Sequence, residues 1–199
     1  MNKSLYGLRE APKLWVDWLG KGLDSAGFKP SKDDPGVFYG RGMAIAVYVD
    51  DVLFFGPDES EMKKVIADLQ ADGYELKLEK EGSNDTYDFL GINLVETNGI
   101  LKLTQHGLIK KFLQSIGCSD CNAVETPAAT SPLGTDAKGE VFREEWEYAS
   151  AVGMIMYLAG NAHPKIQFSV HQCTQFTHTP RKSHQAAIKR IGSYLQGIL

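Results

Sequence analysis

The sequence predicts an α+β protein in which helices pack on an antiparallel sheet and a small helical bundle follows. Three observations lead there. Apolar runs of strand length, punctuated by Gly, Asn and Asp, fill residues 37–104; amphipathic segments at helical spacing flank them; and a stretch rich in Pro, Ser, Thr and Gly precedes three helical stretches at the C-terminal end.

Leu14, Trp15, Trp18, Leu19, Gly22, Leu23 and Ala26 recur at helical spacing, so Pro12 to about Ala26 reads as an amphipathic helix with Pro in its first turn and Gly27 as its stop. Its two tryptophans read as core anchors. Asp34-Pro35-Gly36 signals a turn, after which Val37–Tyr39 and Met43–Val49 read as strands separated by Gly40-Arg41-Gly42, and Val52–Phe55 completes a hairpin. Ser60–Ala71 places Met62, Val65, Ile66 and Leu69 on one helical face, with Gly73 just past its end. Tyr74–Leu78 alternates like a strand, Asp88–Glu96 and Gly99–Thr104 read as a hairpin turning at Thr97-Asn98, and His106–Ile116 is helical up to Gly117. From Cys118 the composition shifts, and Pro127 and Pro132 break any helix, so 118–143 reads as a linker. Glu144–Ala162, Pro164–Thr177 and Pro180–Leu195 then read as helices. The predicted division is 1–117, linker 118–143 and helical region 144–199.

A chain of 199 residues with 43% hydrophobic and 10% aromatic residues can bury a sizeable core. No apolar run approaches the ~20 residues that cross a bilayer, and Asn2-Lys3-Ser4 leads into no signal-peptide core, so a soluble, intracellular protein without a membrane partner is expected. Three cysteines without an export signal are expected as reduced thiols. Charge is unevenly placed. From Tyr148 to Leu199 there is no Asp or Glu, while Lys165, Arg181, Lys182, Lys189 and Arg190 are basic; the first 147 residues hold all 25 acids against 16 bases. A basic segment behind an acidic body points to a polyanionic partner, or to a solvated helix face that is basic without one.

Tyr48-Val49-Asp50-Asp51 carries the most specific chemistry. Two carboxylates at the tip of a hairpin repel unless a cation neutralises them. Mg²⁺ suits that place, because it binds through a few carboxylates completed by waters and substrate phosphates. A metal-free Asp-Asp turn explains the same spacing.

Four blocks together resemble the reverse transcriptase of long-terminal-repeat retrotransposons of the Ty1/copia type. They are Ser4-Leu5-Tyr6-Gly7-Leu8-Arg9-Glu10-Ala11-Pro12 with Trp15; Tyr48-Val49-Asp50-Asp51; Phe89-Leu90-Gly91-Ile92; and Tyr148 to Gly197, which contains Gly153, Tyr157-Leu158, His184, Lys189-Arg190 and Tyr194-Leu195. The resemblance spans nearly the whole chain. It implies an antiparallel palm sheet with packed helices and a helical thumb bundle, an incomplete right-hand polymerase lacking fingers. It also implies template-directed transfer of a nucleotide from dNTP to a primer 3′-hydroxyl on an RNA or DNA template, supported by two Mg²⁺ or Mn²⁺ ions held about 3.5 to 4 Å apart. Asp50 and Asp51 are the implied catalytic metal ligands, Asp50 foremost. Tyr6, Gly7 and Arg9, with Tyr48 and Val49, are the implied substrate-binding residues, Phe89, Leu90 and Gly91 the primer grip, and Arg181, Lys182, Lys189 and Arg190 the contacts to the nucleic-acid backbone. A further family Asp lies upstream of the first block, which here begins three residues after Met1, so this fragment is expected to be inactive alone. Fingers, RNase H and integrase would come from the remainder of a Pol polyprotein in a cytoplasmic retrotransposon particle.

The pattern departs from the family in places. Glu10 stands for the usual Gln, and His163-Pro164-Lys165-Ile166 for Arg-Pro-Asp-Ile. Lys77 and Lys80 compete for the family's lysine before the primer grip. Cys118-x-x-Cys121 has zinc-ligand spacing but lacks a second tight pair. The alternative to an enzyme fragment is a degenerate or domesticated non-enzymatic module that binds nucleic acid.

Overall fold

The structure, a computed structural model, describes residues 10–77, 86–143 and 146–199. Two compact units divide the chain, Met1–Lys80 and Glu81–Leu199. Each has its own apolar core. The division expected at residue 117 falls inside the second unit, because the helix before it contributes Ile109, Phe112, Leu113 and Ile116 to the same core as the C-terminal helices.

The first unit runs α1 (Ala11–Ser25), β1 (Lys29–Pro30), β2 (Val37–Gly40), β3 (Met43–Tyr48), β4 (Asp51–Phe55) and α2 (Glu59–Ala71). The four strands form an antiparallel sheet in chain order. Strand β3 alternates, with Met43, Ile45 and Val47 buried against Leu19, Leu23, Val65 and Leu69 of the helices. Asp58 caps α2 by accepting the Ser60 amide at 2.8 Å, and hydrogen bonding to the Ser60 side chain, with that amide bond, holds its carboxyl below the usual range. Residues 74–77 have no regular structure where a strand was expected; Tyr74 leaves the pattern because its ring packs 4.1 Å from that of Trp18 and its hydroxyl donates to the Trp18 carbonyl. Gly22 permits this, since a Cβ there would meet the Tyr74 ring at 2.6 Å. Trp15 packs against the core as expected, whereas Trp18 stays 42% exposed.

The second unit runs β5 (Thr86–Phe89), β6 (Ile92–Thr97), β7 (Ile100–Thr104), α3 (His106–Ser115), α4 (Tyr148–Asn161), a 3₁₀ turn at Pro164–Ile166, α5 (Gln167–Thr174) and α6 (Lys182–Gln196). The single strand expected from Asp88 to Glu96 is two strands, folded back at Leu90-Gly91, and the next turn is at Asn98-Gly99. Mixed α and β structure with antiparallel sheets is therefore observed, as six α-helices and two sheets among the described residues. No helix among the described residues is long and apolar enough to cross a membrane.

Three helices end alike. After α1, α2 and α3, a glycine of positive φ (Gly27, Gly73, Gly117) turns the chain, and the next residue donates its amide back to the carbonyl five residues earlier. Those next residues, Phe28, Tyr74 and Cys118, are buried, so each stop also anchors the following segment in a core.

Segment 118–143 contains no helix or strand, yet it is no free linker. It is a strap bound along α6: His184, wholly buried, accepts the Arg181 amide at Nδ1 and therefore donates from Nε2 to the Gly134 carbonyl at 2.8 Å. Its ring stacks on Phe176. Ser183 donates to Asp136 at 2.6 Å, the Arg181 guanidinium to the Gly139 carbonyl and that of Arg190 to Thr126 Oγ1. Val141 bridges to Arg181, while Leu133 and Phe142 pack on the core.

Two predictions follow from these contacts. His184→Ala deletes a buried ring and both hydrogen bonds, so unfolding of the second unit by guanidinium should show a loss of about 3 kcal/mol. At the β3–β4 turn, Val49 has φ +50°, a conformation that strains a β-branched residue by about 1–3 kcal/mol. Glycine there adds about 0.5–1 kcal/mol of chain entropy to lose. Val49→Gly should therefore stabilise the first unit by about 1 kcal/mol, seen as a raised melting temperature; a lowered one would show that the strain is absent.

Candidate active site and nucleic-acid surface

The β3–β4 hairpin pairs Tyr48 with Asp51, which leaves only Val49 and Asp50 in the turn. Both acids were expected at the tip; instead Asp50 is there and Asp51 opens β4. Cross-strand partners share a sheet face. Because Val47 points into the core, Tyr48 and Asp51 stand on the opposite face, with Ala46 and Leu53, then Ala44 and Phe55, behind them. Tyr48 is 57% exposed, and Asp50 and Asp51 are both exposed.

The chemistry of the donor set is that of a partial metal site. Among the described residues no group of three or more His, Cys, Asp or Glu could hold a metal ion. Two exposed carboxylates on a fixed turn nevertheless fit Mg²⁺, whose remaining positions take water and substrate phosphates.

The other expected site residues are distributed as follows. Tyr6, Gly7 and Arg9 lie outside the described residues, as does Lys80; Lys77 is exposed on the irregular segment after α2. Phe89 ends β5, and Leu90-Gly91 forms the β5–β6 turn with positive φ at both residues (55° and 72°). Asp88 braces it, accepting the Gly91 amide and the Asn93 side chain. On α6, Arg181 and Arg190 are bonded to the strap and Lys182 pairs with Glu140, so three of the four expected backbone contacts have partners within the chain; Lys189 is half-buried.

Beside the β5–β6 turn, a groove of about 540 Å³ on α3 and α4 is lined by Leu108, Lys111, Ser150, Gly153, Met154 and Tyr157. Sequence reasoning passed over Lys111. Its signal was weak, one of two adjacent lysines on the polar face of an ordinary amphipathic helix. At Gly153 an added Cβ would meet nothing within 4 Å, so packing does not require glycine there. Farther along, Cys118 and Cys121 are joined by a disulfide, which corrects the expectation of reduced thiols; the tight turn after α3 brings their Cα atoms to 5.0 Å. Cys173 is free, its thiol pushed up to about 11 by burial. His163 is also held by burial below the usual histidine value.

The model of the family described as reverse transcriptase (RNA-dependent DNA polymerase) matches residues 1–130. The Retrovirus-related Pol polyprotein from transposon RE1 of Arabidopsis thaliana is 32% identical over 99% of this chain, and that from transposon TNT 1-94 of Nicotiana tabacum 29% identical over 99%. A putative transposon Ty5-1 protein of Saccharomyces cerevisiae is 27% identical over 96%. The chain spans 13%, 15% and 62% of their respective lengths. No solved structure matches. With its acid-tipped hairpin and these retrotransposon relatives, the chain belongs to the reverse transcriptase (RNA-dependent DNA polymerase) family, of the Ty1/copia type.

Proposed function

We propose that this chain is the palm and thumb part of a retrotransposon RNA-directed DNA polymerase, working as one segment of a longer Pol polyprotein in a cytoplasmic particle. The observation that carries the reading is the acid pair, Asp50 in a turn that the core locks and Asp51 beside it on the open sheet face. Asp50 and Asp51 would hold the divalent cations. When bound, such ions supply the charge that stabilises the attacking and leaving oxygens of nucleotidyl transfer. Tyr48, beside Asp51 on the same face, offers a ring to the terminal base pair, and Val49 buttresses the turn beneath the primer end. The first unit is the palm-like part, and Tyr6, Gly7 and Arg9 before α1 complete the nucleotide pocket. The β5–β6 turn serves as the primer grip and α3–α6 as the thumb.

Backbone contact in this reading shifts from α6 toward the α3–α4 groove. Lys111 lines it and Gly153 leaves room for a sugar–phosphate chain, while Lys189 on α6 remains a candidate contact of its own. Arg181, Lys182 and Arg190 hold the strap and contribute their field to phosphate binding. The described carboxylates fall short of a full two-metal site; in this reading a third comes from further polypeptide.

A second reading, binding without catalysis, rests on His163, whose Nε2 is buried without a partner among the described residues where the family pattern has an arginine. One set of assays separates the two. Fluorescence anisotropy should show binding to a primer–template duplex that weakens steeply with salt, and Lys111→Ala and Lys189→Ala should each lower the salt slope by about 1. Salt-independent binding sinks the nucleic-acid assignment. In primer extension with Mg²⁺ or Mn²⁺ the chain alone should give no product, whereas the polyprotein should give product that Asp50→Asn abolishes. Robust extension by the chain alone, lost in Asp50→Asn, overturns the claim that its site is incomplete.

A further inference from the structure

Among the described residues, three hairpin turns have two residues that both take positive φ: Arg41-Gly42, Leu90-Gly91 and Asn98-Gly99. Each is a type I′ turn with glycine second. Asn is at home in the first position and the Arg41 side chain is tied to Asp68 of α2, but leucine has no side-chain group to stabilise a left-handed backbone. Something else must hold Leu90. Asp88 secures the far side of the turn through the Gly91 amide at 3.2 Å, and a second brace comes from outside the sheet. The Tyr157 hydroxyl of α4 donates to the Leu90 carbonyl at 2.5 Å, across 67 residues of sequence.

Tyr157 is 42% exposed, so its ring is no core anchor; its neighbours Leu158 and Ala159 fill that role. What fixes the tyrosine is the hydroxyl, and what the hydroxyl fixes is the turn. We infer that Tyr157 is a positioning residue that locks the Leu90-Gly91 turn to the helical core so that the turn can hold a primer strand at a set distance. The inference rests on the proposed function, which assigns the turn to the primer. It adds the residue that sets the turn's place. This bond joins the turn to α4, and in the turn's own three-stranded sheet Leu94 is the one buried apolar residue among those described. Such a sheet transmits little stiffness to its tip. With the bond, the turn inherits the rigidity of α4, which buries Ala151, Val152, Ile155, Leu158 and Ala159.

Tyr157→Phe removes one oxygen from an exposed side chain and leaves the fold intact. Two measurements on the full chain test the inference. In ¹⁵N relaxation, the order parameters of Leu90 and Gly91 should fall in the variant, while those of Asn98 and Gly99, a turn of the same type in the same sheet, should not change. In anisotropy titrations, wild type should prefer a recessed primer–template over a blunt duplex of equal length. The variant should lose about fivefold of that preference, the worth of one hydrogen bond. Unchanged order parameters overturn the inference, as does a preference that survives in the variant; the proposed function then stands. A wild type that binds neither DNA overturns the proposed function, and this inference with it.

Discussion

A two-residue turn leaves a hairpin no slack, and the first unit is organised by that constraint. With Tyr48 paired to Asp51, every residue of β3 and β4 has an assigned face. A slip of one residue would send Tyr48 inward and bring Met43, Ile45 and Val47 into water. Those three are at most 7% exposed, and burying each is worth about 1.5–3 kcal/mol, so together they outweigh the about 1–3 kcal/mol of strain at Val49. The core therefore dictates the turn. Strain persists at the tip because relieving it through a longer loop or a shifted register would empty the core, and the two carboxylates are displayed as a result.

The second unit meets the same problem with different means. Its sheet buries little, so Leu90 is held by hydrogen bonds rather than by packing beneath its strands. The strap repeats this pattern on α6, where His184 satisfies one backbone amide and one carbonyl from a wholly buried position. A polar side chain so placed must make all its bonds, because an orphaned partner in the core costs about 1–3 kcal/mol. Segment 118–143 consequently has one seat along the helix, although its composition suggests freedom.

What was legible in the sequence was what local chemistry decides. Helix limits came within a few residues because Gly27, Gly73 and Gly117 act through their own φ, and the Asp50-Asp51 hairpin because its apolar runs are unbroken. The turn at Asn98-Gly99 was misplaced by one residue, a boundary error that left both strands in being. The turn at Leu90-Gly91 was marked only by the family resemblance and not by the local pattern, since an apolar leucine reads as strand and the tyrosine that holds it lies 67 residues away. Of the candidate site, the carboxylates and the primer-grip-like turn were nameable from the sequence. The partners of Arg181, Lys182 and Arg190 were not, because they lie on a segment whose composition carries no sign of where it binds.

That last point alters how charge should act on the proposed reading. The acid-free stretch from Tyr148 to Leu199 suggests a strong basic face, but Glu140 and Asp136 reach it from the strap and offset part of its field. Charges more than about 10 Å apart are screened at ordinary salt, so distant lysines cannot compensate. Affinity must then come from a few contacts close to the duplex, where a groove with an open Gly153 and a tethered Leu90 turn provides shape as well as charge. Shape is what a polymerase needs from this region. In the proposed reading a primer end is held in place while the backbone slides by one nucleotide per cycle; non-specific phosphate contacts permit that sliding but do not place the end, so shape must.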